Sequence, residues 1–465
     1  MLERTSGNDE SSLGDSAGSW IAGTRVFIGL LLLYEVFAGG WWKLGTLASG
    51  PNEDWIGANA GGDITRVSER VIEDGVYSWY ATLLETVVIP YAAEWSYIAT
   101  VAQLLTALAL IVGLWTRPAA LCGLLYFLPV FHFGTIRTSP LFTVPIVFVF
   151  VANAGRYYGL DAILESRTDA IGRLTRVLNH PLPIAKRWYP GLAAGLSLVS
   201  VYYLLSMPAV EASRVEFIGL EMMIFTALTA GGLIAVWRGG TPTLVAADAL
   251  RIFVGYRFLQ EIFVRTDPGL PGWASVETQT VEFQANAATH LSPVGLLIES
   301  LVLPAMSAWV VVFAVIQTAT GLALIVGWRT RTMGLLAIGY LLLLTALGFV
   351  RLGPLLLASL VVATALGGRY ASLDAIAGRE STLSLPTSSI PQATLAPATL
   401  VLGVCLIGAS LVVIDPSADP DPTGLETLIM LGFIAIAGLV GVLERTRNDP
   451  PHTTPRTGDT DSISD

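Results

Sequence analysis

Residues 103–117 read QLLTALALIVGLWTR, and residues 317–331 read QTATGLALIVGWRTR. Ten of the fifteen positions agree, at a constant offset of 214. The match extends outward. Glu85 faces Glu299, Pro90 faces Pro304 and Trp95 faces Trp309 at the same offset. Downstream, AGRYYGLDAI (154–163) faces GGRYASLDAI (367–376). Upstream, RVFIGLLLLYE (25–35) faces RIFVGYRFLQE (251–261) at an offset of 226, so the first copy has a loop 12 residues longer. A long fixed period signals repeated structural units.

The 465 residues are 53% hydrophobic and 13% charged, against about 25% charged in a soluble chain. Apolar runs of roughly 15–22 residues recur, and most can cross a bilayer core of about 30 Å as a helix. The expectation is an all-α polytopic membrane protein with about twelve transmembrane helices in two six-helix repeats. In the first repeat the helices fall near 20–40, 95–114, 118–136, 139–154, 190–207 and 219–237. In the second they fall near 246–264, 309–327, 332–349, 353–367, 396–414 and 425–443. Six spans is an even number, so the repeats run parallel. The domains are then 19–240 and 244–445, with disordered polar tails at 1–18 and 446–465. The segments 77–92 and 292–305, each with an acid and a proline among apolar residues, read as interfacial amphipathic helices.

One set of loops collects arginines: Arg117, 156–187, Arg238, Arg329 with Arg331, Arg369 with Arg379, and Arg445 with Arg447. The positive-inside rule then places the protein in the cell membrane, multi-pass, with both termini cytoplasmic. The chain carries a net charge of -10, and its only lysines are Lys43 and Lys186. This acidic, lysine-poor composition is halophile-like, and no basic stripe marks a nucleic-acid partner. Cys122 and Cys405 stand alone, and the histidines lack metal-ligand spacing, so neither a redox thiol pair nor a metal site is expected. Nucleophile-elbow, P-loop, HExxH and dinucleotide-turn patterns are absent.

Polar groups inside a membrane are costly and therefore informative. Glu35 and Glu261 lie late in the first helix of each repeat, and Gln103 and Gln317 lie in the second. At about 1.5 Å per residue, Gln103 stands roughly 21 Å above Arg117 and Glu35 roughly 22 Å above Trp20. Acid and amide thus share a depth. The pairs Glu35–Gln103 and Glu261–Gln317 are expected to touch, with Arg137 and Arg351 in reach. Such pairs either hold helices together or handle a proton or ligand. Arg25 and Arg251, four residues before Gly29 and Gly255, read as snorkelling interfacial charges beside a close helix contact.

GGWWKL (39–44) offers Trp41, Trp42 and Lys43 at the outer interface. These residues make either an aromatic belt or a headgroup-level site for a quinone ring. The second copy lacks the motif. His132 is likewise unmatched and is either a packed side chain or a proton relay.

Together, RxxxG in helix one, GGWWKL, LLETVVIP (83–90), LALIVGLWTR (108–117) and NAGRYYGLD (153–161) resemble the DoxX/DoxD family of small membrane proteins. That family includes the small DoxD subunit of thiosulfate:quinone oxidoreductase. The resemblance covers about 20–165 and, more loosely, 248–378. It implies a four-helix bundle in each copy, to which this chain adds two helices. It also implies a membrane subunit of a quinone-linked thiosulfate or sulfur oxidoreductase system. Quinone would then be the candidate cofactor, with membrane lipids and a soluble or membrane oxidoreductase subunit as partners, and any catalysis would be that of such a subunit. Two other readings stand beside it: a transporter or permease for a small solute or proton, and a scaffold without ligand.

Overall fold

The computed structural model describes residues 9–37, 43–45, 50–73, 75–130, 139–180, 184–206, 216–263, 275–289, 292–347 and 353–378. Among them every regular element is a helix. The helices are α1 (Asp9–Phe37), α2 (Gly62–Glu73), α3 (Ser78–Leu83), α4 (Ala92–Val112), α5 (Thr116–Val130) and α6 (Ser139–Ala152). They continue with α7 (Leu160–Glu165), α8 (Ala170–Leu178), α9 (Tyr189–Ser206), α10 (Glu216–Trp237) and α11 (Pro242–Phe263). The last are α12 (Val276–Thr289), α13 (Ser292–Leu297), α14 (Met306–Val326), α15 (Thr330–Ala346), α16 (Gly353–Leu366) and α17 (Leu373–Ile376). Residues 9–18, expected as tail, belong to α1. The helices expected near 396–414 and 425–443 lie outside the described residues.

Among the described residues, four helical stretches are long and apolar enough to cross a membrane: Ser78–Val112, Lys186–Ser206, Gly219–Trp237 and Gly295–Val326. Thr116–Leu128, Leu141–Ala152 and Thr330–Leu344 are apolar but shorter. These lengths and compositions are compatible with an integral membrane protein.

The quoted match owes its shape to a helix break. α4 ends at Gly113 with φ 68°, and α14 ends at Gly327 with φ 68°. Glycine enters this left-handed conformation without a Cβ clash. The break frees backbone groups on both sides, and buried side chains from distant segments take them up. Arg25 donates to the carbonyls of Leu110 and Ile111. Arg251 donates to those of Leu324 and Ile325. On the other side, the Asp161 carboxylate accepts from the Trp115 and Thr116 amides at 2.6 and 2.9 Å. Asp374 accepts from Arg329 and Thr330 at 2.9 and 2.8 Å.

The expectation for Arg25 and Arg251 is thereby corrected. They are buried at 1% and 0% exposure and do not snorkel. The negative end of a helix dipole and its free carbonyls hold each guanidinium inside. The glycines that follow do permit close contact. A Cβ on Gly29 would stand 2.9 Å from the Ala107 carbonyl oxygen, and one on Gly255 would stand 2.7 Å from that of Gly321.

The acid–proline segments are also corrected. They are not separate helices but run directly into α4 and α14. A π-turn at Leu84–Val88 and a 3-10 turn at Ile89–Tyr91 join α3 to α4, and Ile298–Val302 and Leu303–Ala305 join α13 to α14. Each proline sits at the start of its 3-10 turn, where a missing N–H costs nothing. Trp95 donates its indole N–H to the Val87 carbonyl and Trp309 to that of Leu301, each at 3.2 Å.

α1 packs on α4 as α11 packs on α14, and α5 packs on α6 as α15 packs on α16. The two sets cross over, with α1 against α16 and α11 against α6. Phe27, Ile28, Phe148, Phe253, Val254 and Leu360 belong to one continuous buried cluster drawn from both sets. α9 and α10 form an antiparallel hairpin whose Tyr203 and Met222 meet Val71, Tyr77, Tyr80 and Leu84.

Candidate functional site at Lys43

Lys43 is a buried charge in the segment that follows α1 and is only 1% exposed. Its ammonium donates to the Gln103 side-chain oxygen at 2.6 Å and to the Tyr126 hydroxyl at 2.8 Å. It also lies 4.2 Å from the centre of the Trp55 ring and 4.9 Å from that of Tyr126. Four elements contribute: the end of α1, the loop before α2, α4 and α5.

Each neighbour is fixed in turn. The Gln103 amide N–H donates to the Leu32 carbonyl at 3.2 Å, which orients its oxygen toward Lys43. Trp55, 4% exposed, belongs to a small cluster with Ile64, Ala92 and Ala99. Ser96 on α4 donates its hydroxyl to the Trp55 carbonyl. The long first-copy loop therefore closes over the ammonium, as an indole lid anchored on α4. A buried ammonium requires such partners, because bare desolvation is far too costly. Cation–π contacts strengthen when water is excluded.

Glu35 is half-buried on α1, and its charge acts on both Lys43 and Tyr126. The shared depth of Gln103 and Glu35 predicts a direct contact between them. The Gln103 hydrogen bonds run instead to Lys43 and Leu32. The amide and the lysine, read apart in sequence, meet directly, and the acid acts on the lysine through its charge. A belt role for Lys43, with its ammonium snorkelling to water, does not fit this burial.

The matching place in the second copy is built differently. The Tyr340 hydroxyl donates directly to the Gln317 oxygen at 3.0 Å. Tyr340 lies 214 positions after Tyr126, the spacing that relates Gln317 to Gln103. Phe313 takes the position of Ala99, and its ring meets Phe283, Trp309 and Tyr340. Aromatic packing thus stands where the first copy has a lysine under an indole. A buried ion pair lies elsewhere, between the last helix of the first copy and the first helix of the second: Arg257 of α11 with Glu221 of α10, with the Gln260 oxygen at 2.7 Å.

Trp41, Trp42, His132, Arg137 and Arg351 lie outside the described residues, as does the side chain of Glu261. Its expected contact with Gln317 is not among the described ones. Trp55, Tyr126, Glu221 and Arg257 escaped the sequence reading. Tyr126 had a signal in its match to Tyr340. Trp55 had none, being one indole in an unmatched loop. Among the described residues no group of three or more histidines, cysteines or carboxylates could hold a metal. Comparison with protein-family models, curated proteins and solved structures finds no match.

Proposed function

We propose that this is a multi-pass membrane protein of two parallel DoxX/DoxD-like repeats, the first of which holds a quinone-type headgroup at Lys43 for a partner oxidoreductase. Twelve spans, with both termini cytoplasmic, accord with the recurrent helix neighbours and the arginine-bearing loops. One observation carries the ligand reading. Lys43 is a buried cation among a phenol, an amide and an indole. An ammonium has three N–H groups, and two go to Gln103 and Tyr126. The donor set suits a carbonyl oxygen, and the aromatic walls suit a flat ring.

When bound, a quinone supplies two-electron, two-proton redox chemistry. The chain's own part is to orient the ring, to exclude water with the Trp55 loop, and to hold positive charge where negative charge develops. The Glu35 charge acts on Lys43 at that place. Electrons come from the partner.

Titrating the protein in lipid nanodiscs with a short-chain ubiquinone and a short-chain menaquinone tests this reading. Saturable binding, weakened at least tenfold in Lys43→Met and Tyr126→Phe, is expected. A folded protein that binds neither ring, or binds one unchanged in both variants, overturns it.

The permease reading is favoured by one observation, the buried Arg257–Glu221 pair, since intramembrane charges often mark ion paths. The apolar side chains packed where the two sets meet argue against a central path. Proton or solute flux in proteoliposomes that is lost in Glu221→Gln would make this the better reading.

A further inference from the structure

α8 is turned inside out for a helix facing water. The sides of α8 that meet the protein are small and polar: Gly172, Thr175 and the following Asn179 are buried. Its outer side carries Ile171, Leu174 and Val177, exposed at 48%, 48% and 71%. A soluble surface helix has the opposite pattern. Tyr158 and Ile163, at 64% and 62%, extend the apolar surface of this segment.

Two contacts set the level at which α8 lies. The Trp115 indole donates to the Thr175 hydroxyl at 3.3 Å, and Arg117 donates to the Asn179 carbonyl at 2.6 Å. Both partners belong to the turn where the long apolar helix α4 stops and α5 starts. α8 is therefore held level with the end of a span. Charge points the same way. Between residues 153 and 188 there are six arginines and lysines against three acids, in a chain whose net charge is -10. Two of those acids are engaged by arginine, Glu165 by Arg156 and Asp169 by Arg167. Arg173, Lys186 and Arg187 are exposed, and Trp188, 60% exposed, lies in the first turn of the next candidate span, which begins at Lys186.

We infer that α8 is an anionic-lipid-binding surface: Ile171, Leu174 and Val177 enter the leaflet at headgroup level, and Arg173, Lys186 and Arg187 take phosphate headgroups. The inference rests on the membrane reading above but not on the quinone. Apolar insertion plus charge attraction is how an amphipathic helix holds an interface.

Spin labels at Val177→Cys and Leu105→Cys, with Cys122 and Cys405 changed to alanine, test it in phosphatidylcholine vesicles with and without phosphatidylglycerol. Leu105 is 60% exposed in mid-α4 and reports insertion itself. The expected result is a Leu105 label deep in lipid and a Val177 label about 5–10 Å below the headgroups. Arg173→Gln with Arg187→Gln should lose the preferential retention of phosphatidylglycerol seen by native mass spectrometry. A lipid-buried Leu105 label with Val177 in water, or sealed against a second protein chain, overturns the inference alone. A Leu105 label in water overturns the membrane reading as well. Unchanged phosphatidylglycerol retention in the double arginine variant overturns the headgroup assignment.

Discussion

The Lys43 ammonium stands 2.6 Å from the Gln103 side-chain oxygen, inside the bundle and 60 positions apart in sequence. Removing one partner of a buried charge is worse than removing both, because the survivor keeps its desolvation cost. Gln103→Leu should therefore destabilise the protein by about 1.5–3 kcal/mol, the range for a hydrogen bond to a charged group. Adding Lys43→Met should restore much of the loss. Denaturant unfolding in mixed micelles checks this, and additive losses in the double variant would show that the contact is not energetically coupled.

The two tyrosines at matched positions should respond unequally. Tyr126 accepts from a buried ammonium, whereas Tyr340 donates to a neutral amide. Tyr126→Phe should cost about 1.5–3 kcal/mol and Tyr340→Phe about 1 kcal/mol. Equal losses, measured in the same unfolding assay, would contradict the difference between the two sites.

Asp161 and Asp374 cap the helices that restart after each glycine break. Asp161→Ala and Asp374→Ala should each cost about 2 kcal/mol, the upper range for a lost N-terminal cap. The local signature is faster hydrogen exchange at the Trp115 and Thr116 amides in the first variant, and at Arg329 and Thr330 in the second. Protected amides would mean that another group has taken over the cap.

Gly29 and Gly23 lie on the same helix in different surroundings. A Cβ at Gly29 meets backbone atoms of α4 at 2.9 Å, whereas one at Gly23 meets nothing within 4 Å. Gly29→Ala should cost about 1–3 kcal/mol by overpacking, and Gly23→Ala should be neutral or slightly stabilising. If the two variants melt together, α1 does not need the close approach.

The sequence by itself determined several of the long helices. Apolar runs bounded by glycine, proline and arginine predicted 95–114, 190–207 and 219–237, and the helices found are Ala92–Val112, Tyr189–Ser206 and Glu216–Trp237. Those boundaries are local matters of hydropathy and backbone freedom, and they are legible one segment at a time. The break after LALIV was legible for the same reason. What that break binds was not, because Arg25, Asp161 and their counterparts reach it from tens of residues away.

The candidate site was half legible. Glu35, Gln103 and Lys43 were each conspicuous as polar groups in apolar surroundings. Their union around one ammonium depended on Tyr126, one turn among many on α5, and on Trp55, in a loop without a counterpart. Only the tertiary structure decided that the lysine turns inward. The choice between water and the bundle rests on whether an amide, a phenol and an indole converge closely enough to replace hydration, and convergence of four separate segments is not a property of any one of them.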